Sequence, residues 1–374
     1  MPSAIQWGIL GTGNIASQFA EGLRMLPDAG LLAVGSRSRA SADAFASAHG
    51  VPHAYDSYEA LVRDPNVDVI YIATPNHLHK ENSLLCLNHG KAVLCEKPFT
   101  LDAEEAALVV HTARVKRLFC MEGMWNRFVP IMRELDALLR IGAIGDIRML
   151  DANLGFPFEF NPHHRVFAPA LGGGALLDLG VYPVSLALWL FGRPTRIISH
   201  AVMGTTGVDE QVSILLGFAE GRQATLTSSV RTPMQNDAVF MGTQGMIHLH
   251  APLYRPETLT RISTRKHGEA VPSRPRAGLQ RLIQHPLLRR LREQSTLQPP
   301  KPLTLKVLGN GYAHEAAEVM RCMREGLLES PFMPLNDTLL VMQTMDAIRG
   351  EWRRASEFEG VPAQPRRDPP AGNA

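Results

Sequence analysis

The 374-residue chain has only four cysteines, and no two of them stand at close metal-ligand spacing, so neither a disulfide framework nor a cysteine-rich metal site is expected. Cys86, Cys95, Cys120 and Cys322 lie in apolar or helical contexts and read as reduced core thiols, the expectation for a reducing compartment. Net charge is also scarce. A formal +2 is too small to argue for nucleic acid or a membrane surface as partner on global grounds. The start lacks a basic region followed by an apolar run, and no segment reads as a bilayer span, so a cytoplasmic protein with no membrane partner is expected. The length exceeds one compact core of ordinary size and points to two domains.

An apolar strand, Ile5 to Leu10, runs straight into Gly11-Thr12-Gly13-Asn14-Ile15-Ala16 and an amphipathic helix with Phe19, Ala20 and Leu23 on one face. A pyrophosphate needs this order. Gly11 permits the tight turn, Gly13 lets the backbone approach phosphate, Ala16 allows close helix packing, and the helix N-terminus offers unpaired amides. A second strand, Leu31 to Val34, ends in Gly35-Ser36-Arg37-Ser38-Arg39. The acidic residue that would accept the ribose hydroxyls of NAD is missing there. The Ser36 hydroxyl and Arg37 guanidinium suit a 2′-phosphate instead, so NADP is expected, with NAD as the alternative. Exposed helix-entry arginines are the other reading of this run.

Val67 to Ala73 is a nearly continuous apolar strand of the buried, parallel kind, followed by Thr74-Pro75-Asn76-His77-Leu78-His79. The two histidines have no cysteine or paired carboxylate nearby, so no metal is expected. Their place at a strand's end puts Asn76 and His77 on the nicotinamide side of the cleft. Ala92 to Cys95 is a further short strand, and Glu96-Lys97-Pro98 follows, the proline forcing Lys97 out of the helical region. At such a strand end Lys97 faces the cofactor; a solvated loop lysine is the competing reading.

Leu118 to Met121 reads as the last strand of the first domain, 1–124, and Trp125-Asn126-Arg127-Phe128 carries the chain into a second domain, 125–356. There a helix over Ile131 to Leu139 and a strand over Ile147 to Asn153 precede Gly172-Gly173-Gly174. On a helix beginning near Gly174, Asp178 and Tyr182 stand at i and i+4, so a carboxylate and a phenol share one face of an otherwise apolar element. Gln211 to Phe218, Gln223 to Val230, Ala238 to Met241 and Met246 to His250 read as an antiparallel meander. Residues 255–300 hold many arginines among prolines and read as a solvated basic insertion, and 357–374 as a disordered tail. The fold class expected is α/β, with a doubly wound parallel sheet followed by an α+β domain built on a large, mostly antiparallel open sheet.

Three motifs, Gly11-x-Gly13-x-x-Ala16, Thr74-Pro75-Asn76-x-x-His79 and Glu96-Lys97-Pro98, resemble the glucose-fructose oxidoreductase, inositol dehydrogenase and rhizopine-catabolism (Gfo/Idh/MocA) family. Within it the chain resembles the branch of dimeric dihydrodiol dehydrogenase and NADP-dependent xylose dehydrogenase. The likeness covers most of the chain except the insertion and tail. It implies a Rossmann domain, Lys97 beside the nicotinamide with a cis bond to Pro98, and Tyr182 as acid/base with Asp178 orienting substrate or cofactor. It further implies that Thr12, Asn14, Ile15, Thr74, His79 and Glu96 contact the cofactor, that Trp125, Arg127, Phe156, Phe158 and Arg165 shape the substrate pocket, and that the second sheet's outer face makes a homodimer. Asn126 departs from the branch, where threonine is common. The expected activity is NADP-dependent hydride transfer at a carbinol carbon of a sugar, polyol or trans-dihydrodiol, with Lys97 lowering the pKa of Tyr182. The alternatives are a keto-sugar or inositol enzyme of the same family and a non-catalytic NADP(H)-sensing protein.

Overall fold

The computed structural model describes residues 4–263 and 301–356. The expected tail and the 264–300 part of the expected insertion lie outside the described residues. Strands β1 (Ile5–Leu10), β2 (Ala29–Gly35), β3 (His53–Tyr55), β4 (Val69–Ile72), β5 (Ala92–Glu96) and β6 (Cys120–Gly123) form one parallel sheet ordered β3-β2-β1-β4-β5-β6. Helices α1 (Asn14–Leu23), α2 (Arg39–His49), α3 (Tyr58–Val62), α4 (His79–Asn88) and α5 (Ala103–Lys116) connect them. Strand order reverses between β1 and β4, and a crevice opens beyond the strands' carboxyl ends at that reversal. The core explains why the segments pair this way. Trp7 of β1, Phe19 of α1 and Tyr71 of β4 are fully buried, and the Phe19 ring stacks on Tyr71 with centroids 3.7 Å apart. Burying each such ring stabilises the fold by roughly 1.5–3 kcal/mol. All four cysteines are buried and unpaired.

Helix α6 (Pro130–Arg140) leads into the second sheet. Its strands are β7 (Ile147–Gly155), β8 (Arg196–Met203), β9 (Asp209–Gly217), β10 (Gln223–Ser229), β11 (Ala238–Gly242), β12 (Gly245–Leu249), β13 (Thr258–Ser263) and β14 (Leu303–Thr304). They lie in the order β14-β13-β12-β11-β7-β10-β9-β8. All neighbours are antiparallel except β7 and β10, so the expected simple meander is corrected. β7 sits between β11 and β10 because the chain leaves the sheet through α7 (Val181–Phe191) and returns on the far side of β7. β8 was not foreseen because its alternation runs only between exposed and half-buried positions. β13 likewise claims residues expected to belong to the insertion.

Two further expectations change in this half. The helix near Gly174 starts as a π-helical turn, Leu176–Gly180, before becoming α7. The stretch Pro169–Phe191 is long and apolar enough, at mean hydropathy 1.6, to cross a membrane, contrary to the sequence reading, but 83% of that window is buried inside the protein. Helix α8 (Tyr312–Arg324) then returns to the first domain. Gly22 makes that approach feasible, since a Cβ there would stand 2.8 Å from the Tyr312 side chain and 3.1 Å from Ala313 N. Helix α9 (Leu335–Ser356) spans both sheets, Thr338 donating to Glu122 on β6 and Ser199 on β8 accepting from Trp352. The site's two halves are therefore fixed relative to one another by the chain's last helices.

Candidate active site

A cleft of about 770 Å³ lies at the strand reversal, lined by Gly11, Thr12, Gly13, Asn14, Ile15, Ser36, Arg37, Thr74, Asn76, His79, Glu96, Lys97, Arg165 and Asp178 among others. Residues from the ends of β1, β2, β4 and β5 thus meet residues of the second domain. Gly11 has φ +106°, and a Cβ on it would lie 2.8 Å from Ala73 O, so the turn requires glycine. A Cβ on Gly13 would meet nothing within 4 Å, which leaves open room over the start of α1. That helix has no side-chain cap and no acid in its first turn, so its leading amides are available to an anion. Ser38, Ser41 and Tyr58 also line the cleft, and the charge of Arg37 acts on Tyr58. The sequence reading missed Tyr58, whose only signal is its place at the start of a short helix after β3.

Lys97 follows β5 across a cis bond to Pro98, as the resemblance implies. Its Nζ donates to Asp178 O at 2.8 Å and to Asp178 Oδ1 at 3.3 Å, and Arg165 Nη1 donates to the same Oδ1 at 2.7 Å. Asp178 lies inside the π turn, and its carbonyl accepts from the lysine. Burial alone would raise the pKa of Asp178, but Lys97 and Arg165 hold it at about 2. Lys97 Nζ stands 5.1 Å from the centre of the Tyr182 ring, and Tyr182 Oη accepts from Trp125 Nε1 at 2.8 Å. Trp125 in turn stacks on Tyr312, the centroids 4.5 Å apart.

A glycine-lined cleft therefore ends at a lysine and a carboxylate, with the buried Tyr182 ring beside the lysine. The model of the oxidoreductase family with an NAD-binding Rossmann fold matches residues 5–124, and that of the GFO/IDH/MocA C-terminal domain matches 132–248. The chain belongs to the GFO/IDH/MocA oxidoreductase family. It is 34% identical to trans-1,2-dihydrobenzene-1,2-diol dehydrogenase of Xenopus tropicalis over 92% of this chain and 96% of that one. To the human enzyme of the same name it is 35% identical, with the same coverage. In fold it matches an aldose-aldose oxidoreductase from Caulobacter crescentus at TM-score 0.78 and 21% identity, covering 94% of this chain and 98% of that one. A 3-ketoreductase from Actinomadura kijaniata in complex with NADP and TDP-benzene matches at TM-score 0.76 and 23% identity, with the same coverage.

Within this family frame, several expected residues take other positions. Lys97 was expected to lower the pKa of Tyr182, yet the phenol is pushed well above its usual value. Burial is the main cause, with Glu96 and Asp178 adding to it and the Trp125 hydrogen bond opposing it. The Lys97 ammonium is committed to Asp178 and lies over the ring rather than at the oxygen. Arg127 does not line the cleft. Its guanidinium reaches Asp337 Oδ2 and Ser185 Oγ, both at 2.8 Å, and ties α7 to the start of α9. His79 touches the cleft, but its two ring nitrogens each lie 2.8 Å from a carbonyl oxygen, of Pro98 and of Thr74, so it fixes the lysine loop. Asn76 donates to Gly172 O at 3.3 Å and holds the glycine loop over the cleft, whereas His77 is outside the lining with its Nδ1 unpaired. Phe156 packs 5.9 Å from Tyr254, which lies 6.0 Å from Trp125, so these rings form one aromatic wall; Phe158 sits apart beside His164.

Replacing Arg127 with leucine tests its reassignment. It leaves Ser185 and Asp337 without their partner and is expected to cost about 2–4 kcal/mol of folding stability. Chemical denaturation should report that loss while fluorescence titration gives NADPH affinity within about twofold of wild type.

Proposed function

We propose that the protein catalyses reversible NADP-dependent hydride transfer at a carbinol carbon of a trans-dihydrodiol, or of a small sugar or polyol, with Tyr182 as acid/base. The observation that carries this reading is Lys97, anchored on Asp178 and set 5.1 Å from the Tyr182 ring, at the inner end of the nucleotide cleft. The bound nicotinamide supplies the hydride acceptor or donor. The residues present fit such a cofactor: Gly11, Gly13 and the α1 amides would hold the pyrophosphate, and Ser36 with Arg37 the 2′-phosphate. Asn76, Glu96 and Lys97 line the same cleft. The wall of Trp125, Tyr254 and Phe156 suits the apolar face of a ring-shaped substrate, in keeping with the dihydrodiol named for the relatives in sequence.

The direction of the Tyr182 shift decides its resting state. A phenol with a raised pKa is protonated at neutral pH, so it donates directly to a carbonyl oxygen in reduction and must first lose its proton in oxidation. Oxidation is therefore expected to accelerate about tenfold per pH unit toward alkaline pH, while reduction stays flat through neutrality. Tyr182→Phe and Lys97→Met are each expected to lower kcat by about 100-fold or more with NADPH binding retained. An assay of trans-dihydrodiols, xylose, glucose and inositols with NADP⁺ and NAD⁺ reads substrate, cofactor and pH slope together. Full turnover in Tyr182→Phe would refute the assignment.

The same reading takes the protein as a homodimer through the outer face of the second sheet. Supporting it, Met149, Met241, Met246 and Ile262 align across four strands, with Met149 44% and Ile262 36% exposed, and Ile198 pairs with Leu215 on the same face. Met149→Glu combined with Leu215→Arg is expected to convert a sedimenting dimer to monomer. A wild-type chain that sediments as monomer at micromolar concentration contradicts this.

A further inference from the structure

Glu315, in the first turn of α8, is fully buried, and neither carboxyl oxygen has a hydrogen-bond partner among the described residues. It lies against the loop that carries Lys97. The point a Cβ would occupy on Gly123 is 3.6 Å from Glu315 Oε2 and 3.4 Å from Glu96 Cα. Glu96 is itself buried and fully engaged, accepting from Tyr71 at 2.5 Å and from Lys97 N at 3.1 Å. Two buried carboxylates side by side cannot both ionise cheaply, and Glu96 has donors directed at its charge while Glu315 has none among the described residues. Tyr71 from β4, Tyr182 from α7 and Tyr312 from α8 itself lie around the pair, Glu122 from β6 stands on the Glu96 side, and Lys97 and Arg165 lie beyond Glu96. Burial first, and then Glu96, push the Glu315 carboxyl far toward its protonated form.

We propose that Glu315 is a positioning residue that carries the one proton of the Glu96–Glu315 pair: held neutral, it lets Glu96 keep the charge that anchors Lys97, and its ionisation at alkaline pH switches the site off. This rests on the assignment of Lys97 and Tyr182 to the reaction. Ionised Glu315 places a second negative charge behind Glu96, drives Glu96 off Tyr71 and Lys97 N, and so releases the lysine from its place over Tyr182. Glutamine at 315 is neutral at every pH and nearly the same size, so it removes the switch without opening a cavity.

Two readouts test this on the full-length protein. In infrared difference spectra, a protonated-carboxyl stretch is expected to persist at about pH 9, where Glu122 and Asp209 at about 7 have ionised, to be absent in Glu315→Gln and to titrate about one pH unit or more lower in Glu96→Gln. In kinetics, Glu315→Gln is expected to keep kcat/KM for reduction within about threefold at neutral pH and to move the alkaline fall up by about one unit or more. A spectrum unchanged by Glu315→Gln, or superimposable pH profiles, overturns the proposal. The infrared band reads Glu315 itself, so it distinguishes failure here from failure of the Tyr182 assignment.

Discussion

The site depends on one ion pair that joins the two halves of the molecule. Lys97 comes from the end of β5 in the parallel sheet, and Asp178 from the π turn ahead of α7 in the second half. Lysine and carboxylate side chains are 15% and 4% exposed, so water screens the pair little. Removing Asp178 strands the buried ammonium, a loss of about 3–5 kcal/mol in comparable pairs, whereas removing Lys97 leaves Asp178 to Arg165. Arg165 closes the other side of the same oxygen from a loop that lies over the cleft. A carboxylate held by two cations stays ionised far below neutral pH, and that constancy keeps Lys97 in one place.

Chemistry follows from what the pair leaves undone. The Lys97 ammonium is occupied by Asp178, so it approaches the face of the Tyr182 ring and not its hydroxyl. Trp125 provides the hydrogen bond at that hydroxyl, and Tyr312 braces Trp125 from the returning helix α8. In the proposed reaction the tyrosine therefore rests as a phenol, a proton donor for reduction and a base only once deprotonated. Behind Lys97, Glu96 and Tyr71 hold the backbone of the loop, and His79 holds it at Pro98. The lysine is thus fixed at its tip by the second domain and at its root by the first.

Much of this was legible in the residues. Gly11, Gly13 and Ala16 after a short apolar strand specify the phosphate turn because few other sequences tolerate that backbone. The absence of an acid after β2 is equally readable. Lys97 ahead of a proline, and Asp178 with Tyr182 one turn apart, mark the groups that the structure brings together. Partnerships across long sequence separations were not legible. Arg127 sits among pocket residues in the chain, but its direction is set by Asp337, 210 residues later. Trp125 pairs with Tyr182, 57 residues away, and no local pattern announces that contact. Glu315 looks like an ordinary first-turn acid stabilised by a helix dipole, and only the return of α8 onto Gly123 buries it.

A double-mutant cycle between Lys97→Met and Asp178→Asn, read in kcat for the forward and reverse reactions, bears most directly on whether the two residues act as one unit. Each single change is expected to lower kcat by about 100-fold or more, and the double variant to be no worse than the poorer single within about threefold. Losses that multiply in the double variant would mean that Lys97 and Asp178 contribute independently, and would contradict the central role given to their pairing.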